Sequence, residues 1–227
     1  MLSVAEIFGP TLQGEGASVG RRCGFVRLGG CNLDCSWCDT PYTWDWSRFR
    51  PEHELRRLDT AEVVAAVEAM GVDLLVITGG EPLLQTRGLL PLLDAADERG
   101  WSVEVETNGT VAPPPELAAG VTRFNVSPKL ANSGIAAPVR IRPEALAALR
   151  DTGRALFKFV VAAPSDLDEV EELAAAHRLS PVYIMPEGTT AEVVLVRMRE
   201  LAAPALERGF QLTPRLHILL WGDQRGH

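Results

Sequence analysis

The chain has only four cysteines and four histidines in 227 residues, and no second Cys-x-x-Cys pair. A tetrahedral zinc site normally draws four ligands from such pairs, whereas His53, His177, His217 and His227 are scattered. Zinc is therefore disfavoured, and so is a disulfide framework, which needs pairing partners and an oxidising compartment. No uninterrupted apolar run approaches the length of a membrane-spanning helix. No charged segment followed by an apolar one marks a secretory signal. A basic excess is also missing: 22 Lys and Arg face 30 Asp and Glu, a formal charge of −8. That argues against nucleic-acid backbones, which need a basic surface, and leaves room for a local basic pocket. The expectation is a soluble, cytoplasmic protein with neither a membrane nor a nucleic acid as partner.

What remains is ordinary globular material. The 46% hydrophobic and 23% charged content suits a packed core, and the length suits one domain over 1–227. Against that background, the stretch from Gly30 to Thr40 is concentrated chemistry. Cys31, Cys35 and Cys38 are separated by three and then two intervening residues, behind an apolar strand-like run at 23–28. Three thiolates on one loop can hold three irons of a 4Fe–4S cube. Such clusters are usually closed by four cysteines, so the fourth iron would be open to a small molecule. Cys23, inside the preceding strand, reads as a small buried hydrophobe. A redox pair of Cys35 and Cys38 would leave Cys31 unexplained.

Taken in order, residues 3–8 read as a strand and 9–16 as a glycine-punctuated loop. That loop is either a plain turn or a segment whose amides and polar side chains, Gln13 and Glu15, approach a ligand. Residues 41–58 are irregular, and Trp44 and Trp46 there are compatible with a packed lid. Asp59 to Glu62 forms a capping box for a helix. Residues 73–78 form a near-continuous apolar strand covered on both faces. Helices follow at about 84–99, 143–152, 165–177 and 192–208, with Pro143 opening the second and Ser165 to Asp168 capping the third. Strands stand between them at 102–106, 123–126, 156–161 and 182–185. Strands separated by helices imply a parallel sheet. About six such units, fewer than the eight of a closed barrel, give an α/β fold: a partial, open (β/α) barrel. The polar clusters at 78–82, 107–110 and 127–129 all follow strands. Ligand sites lie at the carboxyl ends of such strands, so these clusters and the cysteine loop should meet on one rim.

Each cluster also has an ordinary reading. Thr78-Gly79-Gly80-Glu81-Pro82 and Met185-Pro186-Glu187-Gly188 suit tight turns. Lys129 suits a solvated loop, or, with the Ser127 hydroxyl, a carboxylate or ribose contact. Asn108 and Gly109 have a weaker claim. Arg27, charged inside an apolar strand, faces water or grips a carboxylate with both nitrogens. Asp39 and Thr40 suit an Asx-type turn, or oxygen ligands for a hard cation such as Mg²⁺.

The cysteine spacing, with Trp37 before the last cysteine and a Gly-Gly-Glu segment about forty residues later, resembles the radical S-adenosylmethionine (SAM) superfamily. The fuller set is more specific. Phe8 to Gly16, Arg27, Gly30 to Thr40, Thr78 to Pro82, Ser127 to Lys129 and His217 together resemble the 7-carboxy-7-deazaguanine synthases, over most of the chain. The resemblance implies a lyase that converts 6-carboxy-5,6,7,8-tetrahydropterin to 7-carboxy-7-deazaguanine with loss of ammonia, in queuosine and deazapurine biosynthesis. It implies a 4Fe–4S cluster on Cys31, Cys35 and Cys38. SAM would lie on Trp37, Cys38, Asp39, Gly80, Ser127, Pro128 and Lys129, and Mg²⁺ on Thr40. The pterin would touch Leu12, Gln13, Gly14, Glu15, Arg27, Thr78 and His217. A SAM-derived radical would take hydrogen from C6 and later return it, regenerating SAM. A homodimer and an external reductant such as flavodoxin complete the implied picture. The tail from Trp221 to His227 departs from the family pattern, leaving the roles of His217 and of the terminal carboxylate open. Alternatives are the activase of a glycyl-radical enzyme, which shares the cysteine spacing, and a non-catalytic iron–sulfur electron carrier.

Overall fold

The computed structural model describes residues 1–226. One nine-stranded sheet carries every strand in them: β1 (Leu2–Leu12), β2 (Arg22–Leu28), β3 (Arg56–Leu58), β4 (Leu74–Gly79), β5 (Ser102–Thr107), β6 (Arg123–Val126), β7 (Ala155–Val161), β8 (Val182–Pro186) and β9 (Gln211–Leu212). The order is β3-β1-β2-β4-β5-β6-β7-β8-β9. β1 runs antiparallel to both β2 and β3, and every pair from β2 to β9 is parallel. The end strands β3 and β9 do not pair with each other, so the barrel is open, as the strand–helix alternation implies.

Nine α-helical segments accompany the described strands: α1 (Pro51–Glu54), α2 (Thr60–Glu68), α3 (Thr86–Glu98), α4 (Pro115–Gly120), α5 (Ala137–Arg140), α6 (Pro143–Asp151), α7 (Asp166–His177), α8 (Ala191–Glu207) and α9 (Leu216–Trp221). The Asp59–Glu62 capping box is formed in both directions, and α6 opens on Pro143. Three expectations need correcting. β1 runs through Gly9 and Pro10 to Leu12, with a register shift between Phe8 and Thr11, so the loop begins later than its glycine suggests. Ser165 makes no side-chain cap. Asp166 Oδ2 instead accepts the amides of Ala162 (2.8 Å) and Ala163 (3.2 Å), tying the turn before α7 to its first residue. Within 41–58, α1 and β3 are regular, and β3 extends the sheet beyond β1.

The two faces of the sheet differ along its width. On β4, Leu75 and Ile77 join the large core that includes the helices, while Leu74 and Val76 pack with Cys23 and Phe25 on the opposite face. Burying a side chain of that size contributes roughly 1.5–3 kcal/mol. From β5 to β7 the second face turns polar. Val103, Val105, Phe124, Phe157 and Phe159 stay in the core, and their alternating neighbours are Glu104, Glu106, Asn125 and Lys158. Because side chains alternate with period two, the same strands that build the core present a charged wall on the other side.

Candidate active site

That wall forms part of one cavity at the carboxyl ends of the parallel strands. Arg27 of β2, Thr78 of β4, Glu106 of β5, Asn125 of β6, Lys158 and Val160 of β7 and Met185 of β8 all line it. The cysteine loop contributes Cys31, Cys35, Trp37, Cys38, Asp39 and Thr40. The β1–β2 connection adds Leu12, Gln13, Gly14 and Glu15; Gly80, Ser127, Lys129 and His217 complete the set expected from sequence. Pro128 is the exception: it is buried but is not part of the wall.

The cysteine loop is docked through backbone contacts that only glycine permits. Gly80 N–H donates to Leu28 O (3.0 Å) and Glu81 N–H to Gly30 O (2.8 Å). A Cβ on Gly80 would overlap the Gly30 carbonyl, so the Gly79–Gly80 pair lets the turn after β4 lie directly on the loop. Glu81 is fully buried and belongs to this joint. Its carboxylate accepts from Leu83 N–H (3.0 Å), Thr107 O–H (2.8 Å) and Asn108 N–H (2.7 Å), tying the turn after β4 to the end of β5.

Cys31, Cys35 and Cys38 are free and partly exposed, whereas Cys23 is 0% exposed within β2. Burial pushes the Cys31 thiol up to about 11 and raises Cys35 as well, so metal must displace their protons. Donors converge on these sulfurs: Leu33 N–H on Cys31 (3.4 Å) and Trp44 Nε1–H on Cys38 (3.3 Å). Hydrogen bonds to cluster sulfurs are a principal control of reduction potential. Among the described residues, no group of three or more His, Cys, Asp or Glu side chains converges on a single ion. A four-iron cube asks for separate thiolates on separate irons, and three sulfurs spread over one wall fit that demand. Beside them, Lys129 Nζ donates to Ser127 Oγ (2.9 Å) and stands 5.5 Å from the Trp37 ring centroid, gathering three residues of the implied SAM set.

The opposite side of the cavity is a charge ladder. Arg27 Nε donates to Glu6 (2.8 Å), which also accepts from Tyr42 O–H (2.6 Å), and the guanidinium lies over Phe8. Among the described residues no hydrogen-bond acceptor takes up its two Nη groups. Lys158, 4% exposed, donates to Glu15. Arg215 donates to Glu15 (3.3 Å), to Asp39, and to the Gly188 carbonyl (2.5 Å). Burial works to raise the Glu15 pKa, but Lys158, Arg215 and His217 overcome it and hold the carboxyl below its usual range. Asp39 is lowered against burial chiefly by Arg215. His217 lies against Gly14, where a Cβ would collide with its ring, and burial lowers its pKa despite Glu15, favouring the neutral imidazole. Glu106 accepts from Thr78 O–H (2.9 Å) and Gln13 Nε2–H (3.3 Å).

Sequence reasoning missed Glu106, Asn125, Lys158 and Arg215. The first three carried a signal: charged or amide residues alternating with apolar ones inside strands, the pattern that singled out Arg27. Arg215 sits in an irregular connection and carried none.

Comparison with known proteins agrees with this geometry. Residues 25–175 match the family model described as the radical SAM superfamily. The chain is 41% identical to the 7-carboxy-7-deazaguanine synthase of Pyrobaculum aerophilum, over 98% of this chain and 96% of that protein. It is 38% identical to the enzyme of the same name from Halobacterium salinarum, over 98% and 91%. The crystal structure of QueE from Escherichia coli superposes with a TM-score of 0.70 at 27% identity, covering 95% of this chain and 94% of that one. With its three cysteines, its glycine joint and its polar wall meeting in one cavity, the chain belongs to the radical SAM superfamily and, within it, to the 7-carboxy-7-deazaguanine synthases.

Proposed function

We propose that this enzyme converts 6-carboxy-5,6,7,8-tetrahydropterin to 7-carboxy-7-deazaguanine and ammonia, with Mg²⁺ as a further requirement. One observation carries the reading: a single cavity is shared by the three cysteines, the Trp37–Ser127–Lys129 group and the ladder from Arg27 to His217. Membership in the superfamily implies a 4Fe–4S cluster and SAM. Held by Cys31, Cys35 and Cys38, a reduced cluster would supply the electron for reductive cleavage of SAM.

The chain's own residues then have assignable tasks. Cys31, Cys35 and Cys38 hold the cluster, and Trp37, Asp39, Gly80, Ser127 and Lys129 hold SAM. The open Nη edge of Arg27 takes the pterin carboxylate in a two-point contact. Leu12, Gln13, Gly14, Glu15, Thr78 and His217 frame the ring, and Glu106, which lines the same cavity, joins them. Thr40 offers one hard oxygen beside Cys38, its Oγ1 3.7 Å from that sulfur. Mg²⁺ usually keeps several waters and takes few protein ligands together with substrate oxygens. A lone hydroxyl therefore suits an ion that arrives with the substrate carboxylate.

Anaerobic protein reconstituted with iron and sulfide, then given reductant, SAM, Mg²⁺ and the carboxylated tetrahydropterin, should form the deazaguanine chromophore. SAM cleavage without that product on repeated trial would reject the substrate assignment. Cys35→Ala should lose the cluster absorbance; full iron content in that variant would reject the ligand set. Mg²⁺ affinity should rise when the pterin is present, and equal affinity with and without it would reject Thr40 as the site.

A further inference from the structure

We infer that Asn125 reads the exocyclic amine of the pterin, an inference that rests on the substrate reading above. Asn125 is 1% exposed, on β6, and forms part of the cavity wall. Its Nδ2–H donates to Glu104 Oε2 (2.9 Å), and Glu104, on the same face of the sheet, is not part of the cavity lining. The other Glu104 oxygen accepts from Ser18 O–H (2.5 Å) and Arg123 Nη1–H (3.2 Å). This fixes the amide: turning it over would set Oδ1 against a carboxylate. Oδ1 is thereby left as a buried acceptor without a partner among the described residues.

An unpaired buried carbonyl is costly unless something donates to it. Oδ1 is directed to the side of the β1–β2 connection, where a Cβ on Gly16 would stand 3.5 Å away. That connection supplies Gln13 and Glu15 to the cavity. Arg27, the proposed carboxylate anchor, is on β2. In the order β2-β4-β5-β6, Asn125 stands three strands away, roughly 14 Å along the sheet at ordinary strand spacing. A pterin anchored at Arg27 by its carboxylate presents its opposite, pyrimidine end towards β6. Two groups on that end offer an N–H outward, ring N3–H and the exocyclic amine beside it; the amine projects furthest from the ring and is the one assigned to Oδ1. Asn125 is thus a specificity residue that selects an aminated ring.

The test uses cluster-loaded, SAM-loaded protein with Mg²⁺ and measures equilibrium binding of two probes. One is 6-carboxy-5,6,7,8-tetrahydropterin; the other is its analogue with hydrogen in place of the exocyclic amine. Wild type should prefer the parent roughly 10- to 100-fold, the order expected when a buried acceptor is left unsatisfied. Asn125→Leu should bind both probes alike, near the wild-type affinity for the analogue, with unchanged SAM affinity and cluster absorbance. Wild type that binds both probes equally shows that Oδ1 takes only a water and overturns the inference without any variant. A variant that loses SAM along with the pterin shows a structural role and also overturns it. Wild type that binds neither probe overturns the substrate reading and this inference together.

Discussion

Lys158 shows how individual residues set the chemistry of the cavity. Burial opposes its charge, yet Glu15 and Glu106 keep its pKa raised, and in return it helps to hold Glu15 ionised. Removing one partner of a buried pair strands the other charge, at a cost of about 3–5 kcal/mol. Lys158→Met should therefore lower the urea midpoint of the apo protein at pH 7. The pH dependence has a definite sign. A carboxyl with a depressed folded pKa stabilises the fold above its unfolded value of 4.5 and loses that contribution as pH falls. Wild type should weaken progressively below that pH through Glu15, and the variant, whose Glu15 titrates nearer normally, should show a shallower acid limb; parallel limbs would reject the pairing. Arg27→Ala is the matching prediction on the substrate side. It should weaken pterin binding by about tenfold or more, as expected for a lost charge-assisted pair, and spare SAM. Equal losses of both affinities in calorimetric titration would count against Arg27 as the carboxylate anchor.

At the level of elements, the joint between the turn after β4 and the cysteine loop decides whether a cluster can be held at all. Gly80→Ala puts a methyl into the Gly30 carbonyl, and both partners are backbone, so the turn and the loop must separate. The expected result is a folded protein, with ordinary far-UV circular dichroism, that retains little iron after reconstitution; full iron loading would show that the joint is dispensable. This joint was partly legible in the sequence, because Gly-Gly after an apolar run announces a close backbone approach. What Glu81 does was not: nothing in the string says that a carboxylate after two glycines will turn inward to accept Thr107 and Asn108, 26 and 27 residues on. The strands themselves were readable wherever one or both faces were apolar. The extension of β1 past Gly9 and Pro10 was hidden because glycine and proline signal a turn locally, and pairing with β2 overrides them. The same limit explains Ser165. Ser165 is a capping type, yet in the fold α7 begins without a side-chain cap there, and Asp166 is spent on the amides of the preceding turn.

Across the whole molecule, the two ends of the chain close on one cavity, and Arg215 is where they are fastened. Its guanidinium reaches Glu15, 200 residues earlier, and Asp39, 176 residues earlier, while also holding the carbonyl of Gly188 after β8. Leu216 N–H donates to Gly14 O (2.8 Å), so α9 begins on the loop that the pterin is proposed to touch. Further out, Arg225 stacks 3.5 Å from the Tyr42 ring centroid and pairs with Glu54 (3.0 Å), so the tail lies on the 41–58 segment. No local pattern could announce these contacts, since each side chain is meaningful only after the barrel has formed. The arrangement places one cation between a carboxylate beside the cysteines and a carboxylate on the substrate loop. Arg215→Met would leave the Glu15 carboxylate, 13% exposed, and the partly exposed Asp39 carboxylate without the cation between them, which disfavours both charges. The expected outcome is a loss of several kcal/mol in urea unfolding, together with weaker binding of SAM and pterin, because both loops lose the same anchor. Arg215→Lys keeps the charge but not the forked geometry, so it should recover stability in part while coupling between the two ligands stays low. A lysine variant in which prior SAM binding raises pterin affinity as much as in wild type would show that the charge alone, and not the guanidinium span, joins the two halves of the site.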